Sequence, residues 1–212
     1  MSYHYLDMEH YLRKDQFDLF RNLAYPYVGM TANLDITSFM SYIKEKELPF
    51  YLTFLYATAQ TANSIPEFRR RIQGNGIIEY DHCIPSYTLA LENENYCYCT
   101  ADDRLPFDAF LKDGKQRQEN ARQSQVLSDG ENENQLFFFS SIPWVSYTSI
   151  IQPVPIPADS NPRITWGKYF KSEGSLIIPV SVLANHALMD GFHISKFFLE
   201  LQNRCDNLDW LL

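Results

Sequence analysis

The sequence has no apolar run approaching the ~20 residues of a membrane-spanning helix. Its opening, MSYHYLDMEHYLRKDQF, is polar and charged where a secretory leader would carry a hydrophobic stretch. A soluble, cytoplasmic protein is therefore expected. Basic residues are scarce: 18 Lys and Arg stand against 26 Asp and Glu, a net charge of −8. That balance argues against broad nucleic-acid binding, which needs a basic face to displace counterions from phosphates. A small anionic ligand held by one or two local cations remains open. The glycines form neither GxGxxG nor GxxxxGK[ST], so no phosphate-cradling glycine loop is expected. The four cysteines show no CxxC spacing. Cys97 and Cys99 would need two further ligands to hold a metal, and none stands nearby in sequence, so reduced, partly buried thiols and no metal are expected.

What is present is material for a core. The 212 residues are 45% hydrophobic and 15% aromatic, enough for one domain over residues 1–212. Phe17, Phe20 and Ala24 are helically spaced within Arg13–Ala24. DITSFMSYIKEKE predicts a second helix with Thr37 or Ser38 as N-cap, and Phe50 to Ser64 a buried third helix ending before Pro66. GIIEYDHCIPSYTLALE changes period and predicts a hairpin or strand pair. A helix is predicted around Phe107 to Arg122, followed by a loop at SDGENEN. Strands are predicted at Gln135–Ser141, Trp144–Gln152, ITWGKYF and Ser175–Leu183. Ile194, Phe197, Phe198 and Leu201 mark a final amphipathic helix. Early helices, late strands and no internal repeat give a layered α/β (α+β) class, a mixed sheet covered by helices.

The stretch NHALMDGFHISKFFLELQ, Asn185 to Gln202, raises the functional question. His186 ends an apolar, strand-like run, and Gly191 opens the next helix, a junction suited to displaying a catalytic side chain on rigid support. A histidine there is more often a core or surface residue than a base, and its position alone leaves both open.

The wider pattern resembles the chloramphenicol acetyltransferase family. NHALMDGFH is similar to the family's HHxxxDGFH signature, and YLRKDQF to its W-x-R-[KR]-E-H-F opening. LDIT at Leu34–Thr37, FY at Phe50–Tyr51, PEFR at Pro66–Arg69, PWVSYTS at Pro143–Ser149 and TWGKY at Thr165–Tyr169 follow in family order over nearly the whole chain. The resemblance implies a CoA-dependent acyltransferase fold and an O-acetyltransferase with acetyl-CoA as co-substrate and no bound cofactor. It also implies a homotrimer with active sites between subunits.

By the resemblance, His186 is the general base that takes the acceptor's hydroxyl proton and returns it to the departing CoA thiolate. Ser140, four residues before the PW tryptophan, would donate to the oxyanion, and Thr165 would assist through a bound water. Asp190, which could be mistaken for the third member of a triad, is implied to pair with Arg13 and hold the loop in shape. Lys168 would approach the CoA phosphates. A second family lysine before the FY pair is absent: Pro49 stands there, with Lys46 nearby, so a weaker or rearranged CoA contact is expected.

Other departures concern the acceptor. The first histidine of the signature is Asn185. The positions matching the family's apolar drug pocket hold Leu19, Phe20, Ala24, Cys97, Leu127, Ile150, Gln152 and Arg163. Gln152 and Arg163 replace aliphatic residues and Cys97 a phenylalanine. Arg163 must then either turn outward or meet a polar or acidic group on the acceptor. The leading expectation is chloramphenicol O-acetylation, that is, antibiotic inactivation. Its rivals are an acyltransferase for a more polar hydroxyl acceptor and a non-catalytic trimeric binding protein. The HxxxDG element also resembles dihydrolipoamide acyltransferase catalytic domains, but no lipoyl domain or Ala/Pro linker accompanies it.

Overall fold

A computed structural model describes residues 2–92, 94–128, 130 and 132–211. The chain runs through β1 (Tyr3–Tyr5), α1 (Lys14–Phe20), β2 (Tyr27–Asp35), α2 (Thr37–Glu45), α3 (Phe50–Ser64), α4 (Pro66–Arg69), β3 (Arg70–Gln73) and β4 (Gly76–Tyr80). It continues through β5 (Ile84–Ala90), β6 (Tyr96–Thr100), α5 (Phe107–Ser124), β7 (Leu136–Ile142), β8 (Arg163–Gly167), β9 (Phe170–Ser172), β10 (Ser175–Asn185) and α6 (Gly191–Asp206). Among the described residues, no helix is long and apolar enough to cross a membrane.

The described strands form two sheets. β1, β4 and β3 make a small antiparallel one, and the larger follows the order β2-β10-β8-β7-β5-β6, with β9 pairing β10. β7 runs parallel to both β5 and β8, and the remaining pairs of the large sheet are antiparallel. The mixed α/β architecture expected from the sequence is therefore present.

Strand alternation divides this sheet into two chemistries. Phe137, Phe139, Ile164, Trp166, Val180 and Val182 point into the main core, where α2, α3, α5 and α6 cover them. α3 is buried nearly all round, and α6 contributes Ile194, Phe197, Phe198 and Leu201. Each such buried side chain stabilises the fold by roughly 1.5–3 kcal/mol. The intervening residues, Ser140, Arg163, Thr165 and Ser181, project from the opposite face. That second face carries the polar groups discussed below.

Four expectations need correction. α1 stops at Phe20 rather than Ala24; the Leu23 amide makes a turn bond to Phe20 O ahead of Pro26. α2 starts at Thr37 itself, and Asp35 does the capping, its Oδ1 accepting from the Thr37 amide at 2.8 Å. β4 and β5 do not pair with each other but belong to different sheets. The backbone between them is claimed by side chains: Asn63 Nδ2 donates to Cys83 O, the Cys83 amide donates to Asn63 Oδ1, and Arg69 donates to Tyr80 O. The actual hairpin joins β3 to β4 through Gly74, whose φ of +60° a side chain would disfavour. Finally, Trp144–Gln152 forms no strand. Trp144 and Ile151 are 71% and 95% exposed, so its apolar residues are not one buried face. The segment is tethered instead by the Lys168 amide to Val145 O and by Tyr147 Oη to Thr165 O, both at 2.9 Å.

Candidate active site

His186 follows the last residue of β10, and its amide donates to Pro26 O at 2.7 Å, which fixes the backbone against the chain entering β2. Its Nδ1 lies 3.0 Å from Met189 O. A carbonyl only accepts, so the proton of the neutral imidazole sits on Nδ1 and Nε2 carries the lone pair. Phe20 stacks on the ring with centroids 3.8 Å apart and planes 18° off parallel. The imidazole is thus held on one face and at one nitrogen.

Asn185 shapes the turn beneath it. Its side chain accepts from the Ala187 amide at 3.1 Å and donates to Asp159 O at 2.9 Å. Asp190 then caps α6, its Oδ1 accepting from the Phe192 amide at 3.0 Å, while its Oδ2 accepts from Arg13 Nη1. Burial by itself would raise this carboxyl, but the Arg13 guanidinium and His193 overcome it and hold it at about 2. The Asp190 carboxylate is taken up by Arg13, the Phe192 amide and His193, while the His186 ring turns its Nδ1 to Met189 O, so Asp190 is no triad member here; the contact implied with Arg13 is present. His193, unassigned from the sequence, completes the cap, with Nδ1 2.9 Å from Asp190 Oδ1. The D-x-x-H spacing, a variant of the capping box, was its signal.

Ser140 and Thr165 meet across the parallel pair β7–β8, Oγ to Oγ1 at 2.8 Å. Gln152 Nε2 donates to the same Thr165 oxygen. Ser140 and Gln152 line a cavity of about 370 Å³ together with Tyr98, Phe138, Asp159 and Arg163. Arg163 neither turns outward nor awaits an acidic ligand. Asp159 holds it bidentately at 2.9 and 2.7 Å, and its guanidinium lies over the rings of Phe138 and Tyr27. Tyr27 Oη also donates to Asp159 Oδ1 at 3.0 Å; burial, and then the Asp159 charge, push that phenol up.

The other expected pocket residues are dispersed. Leu19 and Ala24 are exposed, and so is Leu127. Ile150 lines a second cavity of about 320 Å³ with Thr31, Ser181 and Gln152. Cys97 requires correction: it is fully buried under α5, its Sγ 3.4 Å from Ala121 O, and cannot line the cavity. Alternation along β6 puts Tyr98 on the cavity side instead. Lys168 is exposed just beyond β8. Among the described residues, no group of three or more His, Cys, Asp or Glu could hold a metal.

Within one copy of the chain these groups form two clusters rather than one. Thr165 is in register with Ser181, and His186 lies five residues farther along the same strand direction.

The chain is similar throughout its length to known acetyltransferases. The family model described as chloramphenicol acetyltransferase matches residues 1–202. A chloramphenicol acetyltransferase of Clostridium butyricum is 34% identical, with 100% of this chain and 99% of the relative covered. One from a Klebsiella species is 31% identical over 97% and 94%. A solved chloramphenicol acetyltransferase superposes with a TM-score of 0.81 at 24% identity, covering 95% of this chain and 99% of that one. A dihydrolipoamide acetyltransferase of Azotobacter vinelandii shares the fold at a TM-score of 0.70 and 15% identity, with 93% and 88% covered. The ordered motifs, the mixed sheet and the match over nearly every residue lead to one conclusion: this chain belongs to the chloramphenicol acetyltransferase family.

Proposed function

We propose that the protein is an acetyl-CoA-dependent chloramphenicol O-acetyltransferase, with the whole chain 1–212 acting as one acyltransferase domain. The observation that carries this reading is the state of His186: the Nδ1 bond to Met189 O leaves Nε2 as the basic nitrogen on an imidazole clamped by Phe20. His186 Nε2 removes the proton of the acceptor hydroxyl as its oxygen attacks the acetyl carbonyl carbon. The oxyanion that forms accepts a hydrogen bond from Ser140 Oγ. Collapse breaks the carbon–sulfur bond, and the imidazolium returns the proton to the CoA thiolate, giving the acetyl ester and free CoA. General-base assistance of this kind contributes about 10²–10⁴ in rate, and an oxyanion donor about 10²–10³.

His186 and Ser140 belong to separate clusters in one chain, which supports a homotrimer in which His186 of one subunit meets Ser140 and Thr165 of its neighbour. The exposed Leu19 and Leu23 near the His186 end are apolar surface that such an interface would cover. Lys168 is assigned to the CoA phosphates. Four free, buried cysteines accord with a reducing, cytoplasmic setting.

Gln152 and the Arg163–Asp159 pair on the cavity wall favour a second reading, acetylation of a more polar hydroxyl acceptor by the same machinery. Retention of His186, Ser140, Thr165, Asp190 and Arg13 together speaks against a purely binding role. The discriminating experiment is CoA thiol release from acetyl-CoA, with and without chloramphenicol, using His186→Ala as control. Drug-dependent release lost in the variant supports the proposal. Silence in the wild type, with acetyl-CoA still bound, transfers the weight to another acceptor.

A further inference from the structure

Four hydroxyl side chains lie in one row across the large sheet. Thr31 of β2 is in register with Ser181 of β10, Ser181 with Thr165 of β8, and Thr165 with Ser140 of β7. Hydrogen-bond distances join the row pairwise: Thr31 Oγ1 to Ser181 Oγ at 2.7 Å and Thr165 Oγ1 to Ser140 Oγ at 2.8 Å. A hydroxyl has one proton and accepts as readily as it donates, so neither pair fixes its own direction. An external group must do so. This matters at Ser140: a serine that spends its proton on Thr165 has none left for an oxyanion.

Gln152 is that external group. Its Nε2 can only donate, and it donates to Thr165 Oγ1. Thr165 is fully buried, so its own proton has no solvent to turn to, and Ser140 Oγ is the oxygen within reach. Ser140 then receives a hydrogen bond from behind and presents its proton to the cavity that it lines. The segment leading to Gln152 is tied to β8 by Tyr147 Oη on Thr165 O and by the Lys168 amide on Val145 O. The Gln152 amide is placed by its bond to Thr165, its Oε1 being buried without a hydrogen-bond partner among the described residues.

We infer that Gln152 is a positioning residue for acetyl transfer: acting through Thr165, it sets the direction of the Ser140 hydroxyl so that Ser140 donates into the active-site cavity. This rests on the reading of Ser140 as the oxyanion donor. The aliphatic residue that the family resemblance places here could not perform this task, so the device belongs to this chain's departure from the pattern.

The direction of the relay makes the test specific. Glutamate is close in shape to glutamine, but its carboxylate only accepts; Thr165 would donate to it and Ser140 would turn inward. A protonated carboxyl can donate again. We would measure kcat and KM for acetyl-CoA and chloramphenicol with wild type, Gln152→Glu, Gln152→Leu, Ser140→Ala and the Ser140→Ala/Gln152→Glu double variant. Ser140→Ala should lower kcat about 100-fold. At about pH 8, Gln152→Glu should lower kcat at least about 10-fold with little change in KM for acetyl-CoA, and Gln152→Leu about 5-fold. The ratio of Gln152→Glu to wild-type kcat should rise as pH falls from about 8 to about 5.5, a comparison in which pH effects common to both proteins cancel. Gln152→Glu should cause no further loss in the Ser140→Ala background.

A wild-type kcat in Gln152→Glu, a ratio that ignores pH, or a full additional loss in the double variant would overturn the inference while leaving Ser140 in its role. If Ser140→Ala itself kept wild-type kcat, or wild type did not turn over the drug, the functional reading would fail and the inference with it.

Discussion

His186 and Thr165 are carried on the same sheet but cannot meet within one chain: Thr165 is in register with Ser181, five residues short of His186. At about 3.3 Å of rise per residue, roughly 16 Å of strand separates the two positions. In the proposed reaction the base and the oxyanion donor act on one bound pair of substrates, and the proposed homotrimer meets that need by letting His186 of one subunit serve with Ser140 and Thr165 of its neighbour. Purified His186→Ala and Ser140→Ala proteins should each be nearly inactive. Unfolded together in equal amounts and refolded, they should recover about a quarter of wild-type activity, the fraction of intersubunit sites that draw both intact residues from different variants. No recovery on co-refolding, with each protein folding normally by itself, would show that the two residues act within one chain.

Phe20 covers one face of the His186 ring at 3.8 Å and near-parallel geometry, and it belongs to the small cluster with Phe17, Ala187 and Leu188. Removing the ring frees the imidazole to rotate about its side-chain bonds, even though the Met189 contact remains. Phe20→Ala should lower kcat about 10-fold or more, on the scale expected when a catalytic group drifts from its productive geometry. Phe20→Tyr keeps the stacking surface and should stay within about twofold of wild type. Equal kcat in both variants would show that stacking does not position the base.

Asp190 links stability to pH. Its folded carboxyl sits at about 2, below the ordinary 3.8. A depressed carboxyl contributes stability above the ordinary value and loses it as pH falls through the folded one. Asp190→Asn keeps the cap acceptor but leaves the Arg13 guanidinium, 17% exposed, without its counter-charge. The expected cost near neutral pH is about 2 kcal/mol, below the range for fully buried pairs because the aspartate is a third exposed. The gap between variant and wild-type melting temperatures should close between about pH 4 and about pH 2. A gap that stays constant over that window would show the ion pair to be energetically idle.

Much of this fold is legible in the sequence itself. α3, α5, α6, β7 and β10 lie close to the limits read from the sequence because each is a continuous apolar run or a single clear period, with Pro66 marking the end of α3 and Gly191 the start of α6. Trp144–Gln152 misled because apolar residues in an extended segment look alike whether they are paired or exposed; what orders this one is a tyrosine hydroxyl on a carbonyl two strands' width of sequence away. The hairpin at β4 and β5 failed for a related reason, since side chains of Asn63 and Arg69, distant in sequence, took over the connecting backbone. At the site, the Arg13–Asp190 contact was visible through the family motif. Cys97 was misplaced because a one-residue shift along a strand exchanges the two faces of a sheet. The Asp159 partner of Arg163 had no signal beyond its i, i+4 spacing in a proline-rich stretch that gives no helix.

That last pair bears on which alcohol the enzyme accepts. Arg163 and Asp159 both line the cavity, and they satisfy each other through two hydrogen bonds. Changing Arg163 to leucine restores the aliphatic character implied by the resemblance but strands the Asp159 carboxylate, which among the described residues keeps Tyr27 Oη as its side-chain donor. Each single variant, Arg163→Leu and Asp159→Asn, should lose about 2–3 kcal/mol of stability. The double variant should lose clearly less than their sum, with a coupling of about 1–2 kcal/mol. Its cavity is also uncharged at both positions, so KM for chloramphenicol should fall several-fold relative to wild type, since an apolar wall no longer competes with a hydrated ion pair for the drug's ring. Additive losses in denaturant titrations would show that the two charges do not depend on each other. A KM for chloramphenicol that rises in a stable double variant would show that the pair contributes directly to binding the drug.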